Sequence, residues 1–204
     1  MKVKASKPAF GIVISISCPV YCSESNKVYR SDICTVTSGC DFPSTVIFIV
    51  MDLSAAKPHW DALPKPPFQR RALSLGAVDG KVFAIGGMQP DLKVSLESAI
   101  FDTKTNAWSK GPSLPGEGMS GFGTSSFAAA GKLYVSNVTG NLYQLDSQAA
   151  AWIQAGQLQD KRLFHRMVAT ANGELLIVGG AEWLKGKAAA VYAIPVANKS
   201  TTQR

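Results

Sequence analysis

Three segments of this chain carry one pattern at a spacing of about 47 residues. In each, an apolar residue precedes Asp, a short turn follows, and Trp opens the next stretch: Met51-Asp52…Trp60, Phe101-Asp102…Trp108 and Leu145-Asp146…Trp152. The Trp intervals are 108 − 60 = 48 and 152 − 108 = 44. A double glycine after an apolar run recurs at Gly86-Gly87 and Gly179-Gly180, and 179 − 86 = 93 is two such periods. A fixed period of this length marks stacked supersecondary units, and it suits a four-stranded propeller blade.

The most complete unit shows what one period contains. Arg71–Val78 reads as a strand, Asp79-Gly80 as a hairpin turn, and 81–85 as a second strand ending in the glycine pair. Asp-Gly between apolar runs signals a hairpin because both turn residues take positive φ. A polar loop, Met88–Val94, leads to a third strand at 95–102 and a fourth at 107–110. The next unit repeats this order with strands at 123–129, 132–136, 141–146 and 151–154; its glycine slot holds Ser136-Asn137 and its loop is shorter. A last unit has strands at 166–170, 174–178 and 190–196 around the turn Asn172-Gly173. Before these, 45–52 and 59–63 read as the second half of a unit closed by Pro64-Lys65-Pro66-Pro67, since Pro cannot donate to a ladder. The expected domain is therefore 44–204, with blades at 44–67 (partial), 68–115, 116–160 and 161–204 (partial). No segment of useful length has a helical period, so the fold class is all-β.

Residues 1–43 do not show the repeat. They read as one apolar strand, 10–17, followed by a polar loop that holds all four cysteines, Cys18, Cys22, Cys34 and Cys40. Their C-x3-C-x11-C-x5-C spacing is a loose match to zinc patterns, which usually hold two tight pairs, and no metal site is expected. Disulfides, if the compartment oxidises, have three possible connectivities; free thiols are the plain alternative. Lys2, Lys4 and Lys7 before the apolar run give the N-terminus a weak likeness to a signal peptide, without a small-residue cleavage site. Cytoplasmic and exported locations both stay open.

Composition bounds the rest. Hydrophobic residues make up 46% of the 204 and charged residues 17%, enough for a real core. No run of 18 apolar residues predicts a membrane-spanning helix. The net charge of +7 attracts anionic partners in general, but the cations are scattered and do not alternate with aromatics, so no nucleic-acid role is expected.

The repeats resemble the kelch repeat of β-propellers, the architecture that also carries galactose oxidase-like enzymes. The matching stretches are 80–87 (GKVFAIGG), 101–108 (FDTKTNAW) and 172–180 (NGELLIVGG). The resemblance covers about 44–204 and implies a propeller of which this chain supplies three to four blades. Such propellers generally close with six or seven blades, so the resemblance implies a truncated piece of a longer ring or a partial ring completed by self-association with a second copy. Physics gives Trp60, Trp108, Trp152, Gly86, Gly87, Gly179 and Gly180 structural roles: Trp fills the gap between blades, and the glycines permit a sharp turn where blades crowd.

Candidate binding residues lie at the blade starts. Arg70-Arg71 occupies one such place and His165-Arg166 another. Arg71, His165 and Arg166 on one rim would form a basic site for a carboxylate or phosphate; the bland reading is solvated or blade-stapling arginines. His59 reads as a surface residue. The expected function is a binding module, taking a protein or peptide through blade-connecting loops such as 88–94 and 182–187, with no cofactor. The alternative is an enzyme acting on a sugar or sialic acid as a mutarotase or epimerase does, drawing on Arg71, Arg166, Glu182 and His165, although no catalytic motif singles these out. Asn137-Val138-Thr139 and Asn198-Lys199-Ser200 are glycosylation sequons.

Overall fold

The computed structural model describes residues 11–16, 20–37 and 45–196. The first sheet contains β1 (Gly11–Ile16), β2 (Val20–Cys22), β3 (Lys27–Thr37), β4 (Thr45–Asp52) and β5 (Trp60–Ala62), in the order β1-β3-β4-β5 with β2 also paired to β3. The second is β6 (Ser74–Val78), β7 (Lys81–Ile85), β8 (Ser98–Asp102) and β9 (Ala107–Lys110), paired in chain order. The third is β10 (Ser125–Ala129), β11 (Lys132–Ser136), β12 (Asn141–Leu145) and β13 (Trp152–Gln157), again in chain order. The fourth pairs β14 (Arg166–Ala169), β15 (Glu174–Val178) and β18 (Val191–Pro195), with a small hairpin, β16 (Ala181–Glu182) and β17 (Gly186–Lys187), inserted between β15 and β18. All pairings are antiparallel. The only helix among the described residues is a short 3-10 turn at Gly118–Gly121.

The first sheet departs from expectation. β3 pairs with β4 from Lys27↔Asp52 to Cys34↔Thr45. The boundary expected at 43/44 therefore falls between two partners of one ladder, and the stretch expected as a polar loop forms β2 and β3. The reason is legible afterwards: Val28, Tyr29 and Ile33 are β-formers, but the polar residues between them hide the pattern. Cys22 is buried at the interface with the second sheet, where burial raises its thiol pKa. Cys18 and Cys40 lie outside the described residues, as does the sequon at Asn198. Among the described residues, no group of three or more His, Cys, Asp or Glu stands ready to hold a metal.

The repeated Asp is a turn former. Asp102 Oδ1 accepts the Lys104 and Thr105 amides at 2.9 and 3.0 Å, Asp146 Oδ1 the Ala150 amide at 2.7 Å, and Asp52 Oδ1 the Ser54 amide at 2.8 Å. Each closes the turn between third and fourth strands. Bonds to the Thr105 and Lys104 amides hold the Asp102 carboxyl below its usual range.

Three apolar clusters join four sheets. Tyr29, Phe48 and Val50 of the first sheet meet Leu75, Val82 and Phe101 of the second. Phe83, Ile85 and Ile100 on the other side of the second meet Leu133, Val135, Tyr143 and Trp152 of the third. Tyr134 and Leu142 on the far side of the third meet Met167, Leu175 and Ile177 of the fourth. Each inner sheet is thus buried on both faces, with strands β6 and β7 nearly continuous in buried residues. The inner strands β6, β10 and β14 stand side by side in that order.

Candidate binding face

One edge of this stack carries the start of each inner strand, the end of each second strand and the loops between second and third strands. Its backbone is linked from sheet to sheet. Gly123 N–H donates to Ala72 C=O at 3.0 Å, and Phe164 N–H donates to Gly123 C=O at 2.9 Å. All three residues have left-handed backbone, φ +55, +62 and +56. A side chain at this position costs strain, yet Ala72 and Phe164 hold it because the hydrogen-bonded neighbours fix it. The result places the Phe164 ring outward, half exposed, with its edge against Phe122 at 5.2 Å between centroids.

Of the four residues expected on a basic rim, Arg71 and Arg166 are exposed and Arg70 and His165 are buried. Arg70 is buried: its Nη1 donates to Gly86 C=O at 2.8 Å and to Glu97 C=O at 2.5 Å, and its guanidinium lies 4.2 Å over the Phe68 ring. Burial lowers its pKa to about 10, which leaves it charged at neutral pH. Arg162, not singled out in the sequence, does the same work in the fourth sheet. Its Nη1 reaches Gly179 C=O at 2.8 Å and Ala190 C=O at 3.0 Å, and Asp160 pairs with it. Both are blade staples that satisfy carbonyls beside the glycine pair. The equivalence expected between Arg70-Arg71 and His165-Arg166 is therefore shifted: Arg70 matches Arg162.

His165 is corrected most sharply. It is 0% exposed and hydrogen-bonded through Nε2 to Ser136 Oγ at 2.6 Å, across the third and fourth sheets. Burial lowers its pKa to about 4, helped by Arg162 nearby. Nδ1 has no hydrogen-bond partner, so a second proton there would be buried without an acceptor. The ring is neutral at physiological pH and does not line a rim. The sugar-acid site loses its acid–base candidate, and Glu182 is paired to Lys185 at 2.7 Å on the hairpin tip.

Arg71 and Arg166 are exposed. Arg71 Nη2 leans on Met88 Sδ at 3.3 Å. Arg166 lines a trough of about 370 Å³ along the inner strands, with Ser74, Thr124, Ser125 and Ser126 around it. Beyond them the loops add apolar groups that sequence reading had not marked: Leu92 in the 88–94 loop, and Trp183 and Leu184 (92% exposed) at the β16–β17 tip. A signal for Trp183 existed, since it is the one Trp out of register with the repeat.

The residues expected to be structural take these places. Trp152 is buried and donates Nε1 to Pro112 C=O at 3.1 Å; Trp108 donates to Pro64 C=O at 3.0 Å and packs on Phe48 at 4.9 Å. Trp60 occupies the matching position of the first sheet, but it is 40% exposed and fills no gap among the described residues. Gly86, Gly87, Gly179 and Gly180 all have positive φ. A Cβ on Gly86 would lie 2.3 Å from Gly121 O, and one on Gly180 2.7 Å from Leu163 O, so neighbouring backbone excludes any side chain there. In the third sheet Asn137 replaces the glycine pair. Its Oδ1 accepts the Thr139 and Asn141 amides, both at 3.1 Å, and closes the shorter loop.

Four antiparallel sheets packed face to face, with the first strands of the last three side by side, define a β-propeller architecture. The family model for the Kelch motif matches residues 69–115, the whole second sheet. The chain thus carries a Kelch motif on a propeller fold, and it is similar to kelch-repeat proteins. It is 30% identical over 98 residues to a putative F-box/kelch-repeat protein of Arabidopsis thaliana, covering 46% of this chain and 22% of that protein. It is 24% identical over 133 residues to Kelch-like protein 41b of Danio rerio, covering 63% of this chain and 22% of that protein. The chain thus spans about a fifth of the length of these curated relatives. The solved structure of YjhT superposes with a TM-score of 0.66 at 16% identity, covering 90% of this chain and 62% of the other, a likeness of fold.

Proposed function

We propose that this chain is a binding module that takes a protein or peptide segment on the loop-bearing edge. The observation that carries the reading is the set of large apolar side chains exposed there, Leu92, Phe164, Trp183 and Leu184, with two exposed cations, Arg71 and Arg166, on the same edge. Loops on a rigid scaffold are where repeat proteins place recognition, and exposed aromatic and Arg groups are the usual anchors of a bound chain. The general role of kelch proteins in protein binding supports the same reading. The chemistry fits a segment with apolar anchors and a carboxylate, which an exposed guanidinium would pair.

A direct test selects peptides from a random displayed library against the purified chain, then measures their binding by fluorescence polarisation. A variant with Leu92, Phe164, Trp183 and Leu184 all changed to Ser is the comparison. The reading expects at least a tenfold weaker Kd for the variant, about 1.4 kcal/mol. Equal binding by both proteins, or no enriched peptide, would refute it.

A further inference from the structure

The three interfaces between sheets are built from the same two kinds of face. In the second sheet the leading face is the row Ala77–Val82–Phe101–Trp108, aligned by the ladder and covered by the first sheet. The trailing face is the rows Ser74–Ile85–Ser98 and Gly76–Phe83–Ile100, covered by the third. Two faces of the chain have no such cover among the described residues. On the first sheet the leading row is Tyr21–Val28–Met51–Trp60, with Ile49 beside it. It is as apolar as its counterpart, yet Tyr21 is 52% exposed and none of the four is buried. On the fourth sheet the trailing rows are Arg166–Val178–Val191 and Val168–Leu176–Ala193. Val191 is 57% exposed, and neither Val178 nor Leu176 is buried, whereas their counterparts Ile85 and Phe83 are.

Apolar sheet faces left open are interaction sites or aggregation hazards. The register tells what fits them. A trailing face of this repeat is covered by a leading face at each of the three interfaces, and the described residues leave one face of each kind uncovered. We propose that two copies of this chain associate head to tail, the fourth sheet of one packing on the first sheet of the other. Such a heterologous contact closes into a ring if the rotation permits and otherwise grows by further copies. The inference concerns the sheet faces and does not rest on the loop-edge reading, with which it shares Arg166 alone.

The test uses light scattering after size exclusion on the full chain across a concentration series, with circular dichroism melting to verify folding. Wild type is expected to exceed the 21.6 kDa of one chain. Trp60→Glu spoils only the leading face, and Val191→Glu only the trailing face. Each variant alone is expected at the mass of one chain, while their equimolar mixture gives a species of twice that mass, because each supplies the face the other lacks. Tyr21→Glu and Ala193→Glu replace them should either first variant fail to melt cooperatively. A wild type that stays at one chain's mass at every concentration overturns the proposal. So does a single-face variant that still self-associates, since that means like faces pair with like.

Discussion

Trp152 Nε1 donates to the carbonyl of Pro112 at 3.1 Å, and one repeat earlier Trp108 makes the same bond to Pro64 at 3.0 Å. Each indole is both a wedge between two sheets and a hydrogen-bonded tie to the linker leaving the preceding sheet. Such a ring satisfies its polar atom while burying its body, which is why Trp rather than Leu or Phe suits the position.

Truncating a wedge removes contacts from both sheets and leaves a cavity between them. Trp152→Ala is expected to lower the unfolding free energy by about 3–5 kcal/mol. Trp60→Ala, at the matching but uncovered position, is expected to cost under about 1 kcal/mol in a monomeric sample, as for surface changes. Urea unfolding of the two variants checks the contrast; equal losses would contradict the account of the wedge.

Glycine positions separate strain from space. Gly180 has φ +95, and a Cβ there would meet Leu163 O at 2.7 Å and His165 N at 2.8 Å, both backbone atoms that cannot swing away. Gly186 has φ +84 with nothing within 4 Å of the added carbon. Gly186→Ala is expected to cost about 1–2 kcal/mol from the left-handed backbone alone, and Gly180→Ala roughly twice that or more because it adds a clash with fixed backbone. Thermal melts of the pair test the order.

His165 gives the fold an acid sensitivity with a defined window. Its ordinary pKa is 6.5 and burial lowers it to about 4 in the folded chain. The unfolded state therefore binds the proton first as pH falls. The stability from keeping the ring neutral is fully present above about 6.5 and is lost as pH falls through about 4. The loss amounts to roughly 3 kcal/mol across that window. Arg162 and Arg166 nearby oppose protonation and Asp160 favours it. Asp160, held low by Arg162, withdraws its own contribution only at still lower pH. His165→Gln should flatten the dependence between pH 7 and 4.5 in pH-resolved urea titrations; an unchanged slope would show that another group titrates there.

Asn137 sits in a sequon, but it is buried with Oδ1 tied to Thr139 and Asn141. Expression through a eukaryotic secretory route should leave it unmodified in the folded protein, as read by intact mass and peptide mapping. A glycan at Asn137 would mean that the sequon is modified before this loop closes.

Much of the fold was legible because its signals are local. β7, β11 and β15 have the bounds their sequence implied, since an Asp-Gly, Ala-Gly or Asn-Gly turn starts each and an apolar run fills it. β6 starts at Ser74 rather than at Arg71, because Ala72 turns in left-handed backbone to bond the next sheet, a tertiary demand that no local pattern encodes. β3 is hidden for another reason: although 45–52 and 59–63 read as the second half of a unit, the polar residues among Val28, Tyr29 and Ile33 mask the strand that precedes them. At the candidate site, exposed Arg71 and Arg166 were picked by their place in the repeat. His165, one residue from Arg166, points to the opposite face of the strand, and a shift of one residue exchanges rim for core. Arg162 was passed over because a staple is defined by the carbonyls it reaches across the sheet, which only the folded chain brings together.

The central claim is that recognition belongs to the loop edge. Amide hydrogen exchange, measured with and without a peptide from the library selection, tests it most directly. The account predicts added protection confined to 88–94, 122–124, 163–166 and 181–187, with the turns at 79–80, 103–106 and 130–131 on the opposite edge unchanged. Protection concentrated at those turns would place binding on the wrong edge and contradict it.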